Sequence, residues 1–275
     1  MRFLIAVLVS LFSLSALAQS VPAPALAANA WVLVDHATGQ VLAGKDPDAR
    51  IEPASLTKLM TAYLTFAALK AGTITPDQVV PVSTKAWRME GSRMFIEPNK
   101  PVTVDELIRG VIVQSGNDAC VALAETIAGS EEAFAALMNR EAQRLGMVNT
   151  NFTNSTGLPD PQLYTSANDL ARLAAAIVRD FPEYYSLYSL KEFTYNNIKQ
   201  PNRNRLLYMD PTVDGMKTGH TSSAGYCLVS TAQRGERRLI SVVLGAASDT
   251  VRAQESLKLL NFGFQFYQTV KLYGG

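Results

Sequence analysis

Ser55 and Lys58 are two residues of this chain whose types and spacing suit covalent catalysis. A serine hydroxyl is a poor nucleophile unless a base takes its proton, and a lysine can do so when burial or a nearby cation lowers its pKa. Pro53 opens a periodic apolar segment, so both residues are expected near the start of one helix, where positions three apart are neighbours. The free N–H groups of that first turn favour developing negative charge. The pair therefore predicts nucleophilic acyl transfer.

A second polar group, Ser115 and Asn117, flanks Gly116 in a break between two predicted helices. Glycine permits a backbone turn that few other residues tolerate, and such a turn can direct a hydroxyl and a carboxamide into a cleft. In the alternative interpretation the segment only connects two helices, and Asn117 or Asp118 caps the second. The spacing alone leaves both interpretations open.

The third group is Lys217-Thr218-Gly219-His220-Thr221, on a predicted strand. Alternation places Lys217, Gly219 and Thr221 on one face and Thr218 and His220 on the other. Glycine within a strand often marks the close approach of a ligand or of another backbone. The strand could therefore pair with an extended peptide while Lys217 lies beside a carboxylate. The alternative is an edge strand protected by its lysine.

Together the three groups follow the order S-x-x-K, S-x-N, K-T-G, which is the signature set of class A β-lactamases and penicillin-binding proteins. From about Ala30 to Val270 the chain resembles the active-site serine penicillin-recognising family. Within that family, its SGNDA and KTGHT segments resemble those of the low-molecular-mass D,D-carboxypeptidases. The resemblance implies an α/β (α+β) fold of the β-lactamase/transpeptidase type. In such a fold, helices and a helical subdomain flank an antiparallel sheet built from both chain ends.

The resemblance also implies which groups carry out the reaction. Ser55 would attack the carbonyl of the penultimate D-alanine of a cell-wall stem peptide and form an acyl-enzyme, with Lys58 as the base. Ser115 would relay a proton to the leaving D-alanine. The backbone N–H groups of Ser55 and His220 would form the oxyanion hole, where a single donor is worth about 3 kcal/mol.

Substrate binding is implied for a second set of residues. Asn117 would hold the substrate amide, while Lys217 would position the proton relay and the substrate. Thr218 would bind the substrate carboxylate next to Gly219. Arg252 resembles a further carboxylate-binding arginine of the family, and the alternative for it is a solvated residue at the start of a helix.

The expected function is removal of the terminal D-alanine from peptidoglycan stem peptides, with β-lactam antibiotics as covalent inhibitors. A β-lactamase is one alternative, but class A enzymes add a Glu-x-x-Leu-Asn segment, and Glu192–Asn196 is the nearest approach to it between Asn117 and Lys217. A D,D-endopeptidase, a transpeptidase and a non-hydrolytic penicillin-binding sensor are further alternatives. The sequence does not separate them.

The elements that position these groups follow from hydrophobic periodicity. Two β-rich runs around a glycine-containing turn predict a hairpin from residue 31 to residue 45. One buried stripe is expected on the helix that starts at Pro53 and stops at Gly72. Three strands and a final helix are expected in the last third, at residues 215–221, 225–231, 238–244 and 250–269.

The middle third is predicted to be helical. Thr103 and Glu106 form a capping box for a helix that ends near Gln114. A second helix follows Asn117-Asp118 and stops at Gly129, and Ser166 caps another that runs to about Asp180. A further helix is expected from Glu131 to about Gly146.

The N-terminus has the features of a secretory signal peptide: Arg2, a short apolar run and a small-x-small ending. Residues 1–18 are assigned to it, with cleavage after Ala18, or after Ala28 as an alternative; an uncleaved anchor is a further alternative. We expect an exported, periplasmic or otherwise extracytoplasmic protein. Its penicillin-binding catalytic domain should span residues 29–270, without the C-terminal β domain or membrane anchor of many relatives.

Composition excludes several other classes of protein. The net charge of +1 and the lack of a long basic run leave no electrostatic footprint for nucleic acid or anionic lipid. Two histidines and two scattered cysteines show no metal-ligand spacing, so neither a metal nor a cofactor is expected. Cys120 and Cys227 lie in apolar surroundings and are expected as buried free thiols rather than a disulfide.

Overall fold

The computed structural model of this chain describes residues 21–270, so the signal peptide expected at residues 1–18 lies outside the described range. In chain order the strands are β1 (Ala30–Asp35), β2 (Val41–Lys45), β3 (Glu192–Tyr195), β4 (Ile198–Pro201), β5 (Val213–Thr221), β6 (Gly225–Arg234) and β7 (Arg237–Ala246). The helices are α1 (Lys58–Lys70), α2 (Thr84–Trp87), α3 (Val104–Arg109), α4 (Asn117–Ala128), α5 (Glu131–Arg144), α6 (Ala167–Asp180), α7 (Pro182–Tyr185), α8 (Leu206–Met209) and α9 (Asp249–Phe266). Short 3₁₀ turns precede α1 and follow α7, and a π-helical turn extends α3.

Within residues 21–270, five strands form one sheet in the order β2–β1–β7–β6–β5, with every neighbouring pair antiparallel. The predicted N-terminal hairpin and the three predicted C-terminal strands therefore share one sheet. This arrangement confirms the fold class expected from the sequence. β5 lies at one edge of the sheet. The Lys217–Thr221 segment thus runs along an edge whose outer side faces no other strand of the described chain.

Helices cover both faces of the sheet. Val32 and Val34 of β1 point into the larger apolar core, which includes α6, whereas Trp31 and Leu33 point into a smaller core beneath α9. All six residues of β1 are buried for this reason. A strand covered on both faces carries an almost continuous apolar run rather than an alternating one.

Helix α1 is buried more completely than its sequence predicted. One apolar stripe was expected, but Thr61, Thr65 and Phe66 are buried as well, because α1 packs against α4, α5 and α6. Leu64 and Ala67 of the same helix are only half-buried. The helix ends as predicted before Gly72, whose φ of +69° favours glycine.

The predicted helix starts in the middle third are confirmed. Thr103 and Glu106 form a complete capping box at the start of α3, and the π-helical turn after α3 ends at Gln114. Ser166 accepts a hydrogen bond from the backbone N–H of Asp169 and caps α6. These caps can be read from the sequence because each hydrogen bond joins residues only three positions apart.

The β3–β4 hairpin was not predicted. Its turn is Asn196-Asn197, with φ of +51° and +60° at the two positions. Two consecutive left-handed residues of this type suit a two-residue hairpin turn, and an Asn-Asn pair between two short β-rich runs is the signal that could have revealed it. Glu192–Asn196, the segment compared with the lactamase motif, is thus β3 and the first turn residue.

Two remaining features are the state of the cysteines and the length of the apolar helices. Cys120 in α4 and Cys227 in β6 are buried free thiols, as predicted. Between residues 21 and 270, no helix is long and apolar enough to cross a bilayer.

The Ser166 cap gives a test of the fold. Replacing it in Ser166→Ala should lower the free energy of unfolding by about 1 kcal/mol, because the buried N–H of Asp169 loses its acceptor. Urea denaturation followed by circular dichroism measures this change, and Ser222→Ala, at an exposed serine, is the matched control. Equal stability of the two variants would mean that the cap contributes nothing.

Candidate active site

Ser55 and Lys58 are in direct contact at the start of α1. The turn Ala54–Thr57 carries Ser55, and Lys58 is the first residue of the α-helix. The Lys58 amine donates to Ser55 Oγ at 3.0 Å and also to the backbone carbonyl of Thr156. Lys58 is only 1% exposed, whereas Ser55 is half-buried and open to a cleft. The hydroxyl is therefore accessible while its neighbouring amine is shielded from water.

Burial is the main cause of an unusual pKa at Lys58. Burial and, less strongly, the positive charge of Arg203 lower the pKa, whereas Cys120 and Asp118 raise it; together these effects bring it from an ordinary value of 10.5 to about 8. A substantial fraction of the amine is then neutral near physiological pH. That is the state in which a lysine can take a proton from a serine hydroxyl.

The turn between α3 and α4 directs Ser115 towards the cleft, as predicted. The residue with the unusual backbone conformation, however, is Ser115 and not Gly116. Ser115 itself adopts the left-handed conformation, with φ of +65°, while Gly116 is extended. Gly116 is needed for space, because a Cβ there would lie 2.8 Å from the Asp118 carboxylate and 3.2 Å from the backbone nitrogen of Met94. The N-cap residue of α4 is Gly116 rather than Asn117 or Asp118, although the Asp118 carboxylate accepts a hydrogen bond from the first-turn N–H of Ala119.

Lys217 links β5 to the turn that carries Ser115. From β5 its amine donates to Ser115 Oγ at 2.9 Å and to the carbonyl of Thr218 at 3.1 Å. The residue is 3% exposed, so the alternative of a solvent-facing protective lysine on an edge strand does not hold. Burial, together with the positive charges of Lys58 and Arg203, brings the pKa of Lys217 well below its usual value.

Gly219 is where β5 meets the turn that carries Ser55. A Cβ at this position would lie 3.0 Å from the carbonyl oxygen of Pro53 and 3.2 Å from Leu56. The sequence predicted close approach of a ligand or of another backbone, and the structure shows the backbone. A larger residue would push the edge strand away from the turn that carries Ser55.

A cleft of about 440 Å³ opens above these groups, within the size range of ligand sites. His220 and Tyr226 stack at its rim with ring centroids 4.0 Å apart. Arg252, in the first turn of α9, is 7% exposed and donates to the carbonyl of Gly219 at 3.3 Å, so it is not a solvated surface residue. The residues that line the cleft are Ser55, Gly91, Ser92, Ser115, Arg203, Thr218, Gly219, His220, Tyr226 and Arg252.

Asn117 is the predicted site residue that fits least well. It is 4% exposed and is not among the residues that line the cleft. Its amide nitrogen donates to the carbonyl of Glu90 at 2.7 Å, and its backbone nitrogen donates to the carbonyl of Ser92. In this structure Asn117 holds the loop that forms one wall of the cleft.

Several important residues were missed by the sequence analysis. Arg203 lines the cleft from a loop and has no motif around it that could have revealed it. Asp118 is fully buried, and its carboxylate accepts hydrogen bonds from the backbone of Met94, Phe95 and Ile96. Burial raises the pKa of Asp118, and these hydrogen bonds lower it in part. The residue thereby fixes the loop segment that follows Gly91 and Ser92.

The arrangement suits acyl transfer to a serine from a ligand with a negative charge. Ser55 has a base within hydrogen-bonding distance, and a second lysine–serine pair lies on the other side of the cleft. The described lining contains two arginines and no carboxylate, which favours an anionic ligand. Among residues 21–270, no three His, Cys, Asp or Glu side chains are grouped as metal ligands.

Comparison with known proteins agrees with this geometry. Residues 17–248 match the family model of peptidase S11, D-alanyl-D-alanine carboxypeptidase. The chain is 50% identical to the D-alanyl-D-alanine carboxypeptidase DacC of Escherichia coli (strain K12) over 259 residues, which cover 92% of this chain and 65% of that relative. It therefore spans slightly less than two thirds of that relative's length.

Solved structures give the same result. Penicillin binding protein 6B from Escherichia coli superposes with a TM-score of 0.90 at 45% identity, covering 94% of this chain and 83% of that one. Penicillin-binding protein D2 from Listeria monocytogenes, in its ampicillin-bound form, superposes with a TM-score of 0.82 at 30% identity, covering 89% of this chain and all of that one. On the family match and these similarities, the chain belongs to the peptidase S11 family of D-alanyl-D-alanine carboxypeptidases.

Proposed function

We propose that this chain is a serine D,D-carboxypeptidase that removes the terminal D-alanine from peptidoglycan stem peptides through an acyl-enzyme on Ser55. The observation that carries the proposal is the 3.0 Å contact between the Lys58 amine and Ser55 Oγ at the floor of an open cleft. The names of its relatives supply the substrate class. Two arginines in the cleft lining suit a peptide that ends in a free carboxylate.

In the acylation step, neutral Lys58 takes the proton of Ser55 as Oγ bonds to the carbonyl carbon of the penultimate D-alanine. The carbonyl oxygen becomes an oxyanion, which the backbone N–H groups of Ser55 and His220 would stabilise. When the C–N bond breaks, the leaving amine needs a proton. Ser115, held at 2.9 Å by the Lys217 amine, is placed to relay it, and D-alanine then leaves. Water hydrolyses the remaining ester and restores Ser55.

The substrate would lie extended along the outer edge of β5. Edge strands accept peptides by backbone pairing, and β5 has its free side towards the cleft. The terminal carboxylate would bind near Thr218 and Arg252, with Gly219 bringing the strand close to Ser55. Asn117 would hold the substrate amide through its side-chain oxygen or through the second N–H of its amide, since the Glu90 carbonyl takes only one of the two N–H donors.

β-Lactams are proposed as covalent inhibitors of the same serine, since a solved relative is in an ampicillin-bound form. We also propose that the protein acts outside the cytoplasm, with residues 1–18 as its signal peptide and 29–270 as its catalytic domain. Cell-wall substrates and the signal-like N-terminus support this location.

The first test concerns the nucleophile. Wild-type protein should be labelled stoichiometrically by a fluorescent penicillin and should release free D-alanine from a peptide ending in D-Ala-D-Ala. Ser55→Ala should lose both properties, because no other hydroxyl of the site touches Lys58 within the described chain. Ser189→Ala, at an exposed serine far along the chain, is the control. Rapid turnover of penicillin would instead indicate a β-lactamase, and labelling without D-alanine release would indicate a sensor.

The second test concerns the base. The rate of acylation by penicillin should rise about tenfold per pH unit at low pH and level off near pH 8, because deprotonated Lys58 is the reactive form and its pKa is about 8. Stopped-flow measurement from roughly pH 6 to 10 tests this. A rate that kept rising past pH 10 would show an ordinary lysine and contradict the proposal.

A matched variant separates charge from proton transfer. Lys58→Arg keeps a positive charge of similar reach but cannot give up its proton, so acylation should fall by about a hundredfold or more at every pH. Lys58→Ala should behave similarly while still folding. Normal acylation in either variant would exclude Lys58 as the base.

A further inference from the structure

The orientation of the Lys58 amine depends on a carbonyl group in an irregular loop. The amine contacts Ser55 Oγ on one side and the backbone carbonyl of Thr156 on the other. Thr156 belongs to no helix or strand, so regular backbone pairing does not fix its position. Other contacts must hold that carbonyl in place.

Part of the loop is shaped from within. The side-chain oxygen of Asn154 accepts hydrogen bonds from the backbone N–H groups of Thr156 and Gly157, at 3.1 and 2.7 Å. Gly157 has φ of +82°, and a Cβ there would overlap the carbonyl oxygen of Ala54, the residue before the nucleophile. The loop is therefore packed directly against the turn that carries Ser55.

A carboxylate outside the cleft anchors the same loop to the helical layer. Glu131, at the start of α5, accepts two hydrogen bonds through Oε1: one from the backbone N–H of Ser155 at 3.1 Å and one from Ser155 Oγ at 2.7 Å. Ser155 is completely buried, so these donors have no access to bulk water. Thr61, one turn after Lys58, donates to the carbonyl of Ser155 at 2.7 Å.

The second oxygen of Glu131 is occupied as well. It lies 3.0 Å from the amine of Lys85, which also pairs with Glu132 at 3.1 Å. The Glu131 side chain is 10% exposed, whereas that of Glu132 is 78% exposed. Glu132 shares the cation but has no recorded contact with the loop, so it is a natural control.

We propose that Glu131 is a positioning residue for acylation: its carboxylate fixes Ser155, which places the Thr156 carbonyl, which in turn orients the Lys58 amine towards Ser55. The inference rests on the proposed function. A neutral amine has two N–H bonds and one lone pair in fixed tetrahedral directions. When an N–H bond points at the Thr156 carbonyl, the lone pair can face the Ser55 hydroxyl. Loss of the anchor lets the carbonyl move and the amine rotate.

The test separates chemistry from binding. Two constants are measured for the reaction with penicillin: the dissociation constant of the non-covalent complex and the rate constant of the acylation that follows. Both are expressed per active site, after titration of the fraction of molecules that penicillin can acylate. In Glu131→Ala the rate constant should fall about tenfold to a hundredfold, because a displacement of about 1 Å at a reacting group has effects of that size. The dissociation constant should stay unchanged, since Glu131 does not line the cleft.

Two variants act as controls. Glu131→Gln keeps an acceptor for Ser155, so its rate constant should stay within about threefold of the wild-type value. A small decrease is expected because an amide oxygen accepts a hydrogen bond less strongly than a carboxylate. Glu132→Ala should behave as wild type. A purely structural role would lower the stability of Glu131→Ala but leave the rate constant per intact site unaltered, and that result would overturn the proposal.

Further measurements keep the inference testable on its own. If Glu131→Ala does not fold, Ser155→Ala deletes one donor without a large cavity and should still lower the rate constant severalfold; an unchanged value would reject the idea. Crystal structures of wild type and Ser155→Ala or Glu131→Ala should show the Thr156 carbonyl displaced from Lys58. That readout is independent of activity. A wild type that penicillin cannot acylate would reject the proposed function, whereas an acylated wild type matched by Glu131→Ala would reject only this inference.

Discussion

Burial of an amine without a carboxylate partner is the constraint on which this site depends. Lys58 is 1% exposed, and its recorded hydrogen bonds go to a hydroxyl and a carbonyl. Removing a charged amine from water is costly unless it is paired with an opposite charge, so the neutral form gains. The 3₁₀ turn, the edge strand and the loop around Thr156 all serve to keep water away from this amine while leaving the Ser55 hydroxyl accessible.

A second buried lysine, Lys217, adds to the cost of holding positive charge in this site. Lys217 is also buried, and the positive charges of Lys58 and Arg203 lower its pKa further. Holding several positive charges in one poorly hydrated region is unfavourable, and an anionic ligand relieves it. The positive charges that favour loss of a proton from a buried lysine therefore also attract an anionic ligand. Reactivity and ligand preference have a common electrostatic origin.

Local signals made much of the fold predictable. Capping residues and the glycine stop of α1 are determined by neighbours in sequence, and all were found. The three motifs likewise identified most residues that meet at the cleft.

What was missed depends on distant contacts: Arg203 enters from a loop, Asp118 holds a remote segment, and Thr156 contributes only a backbone carbonyl. Every residue has a backbone carbonyl, so the residue type does not indicate which carbonyl contacts Lys58. The left-handed backbone of Ser115 was assigned to Gly116 because glycine is the usual bearer of that conformation.

The burial of α1 on nearly every side has a consequence for how the molecule opens. A helix that packs against α4, α5 and α6 cannot fray independently, because its amide groups reach solvent only when the surrounding layer separates. Its amide protons should consequently exchange with deuterium at the rate of global unfolding. Proteolysis of surface loops remote from the cleft can then leave Ser55 and Lys58 in contact until the whole domain unfolds cooperatively.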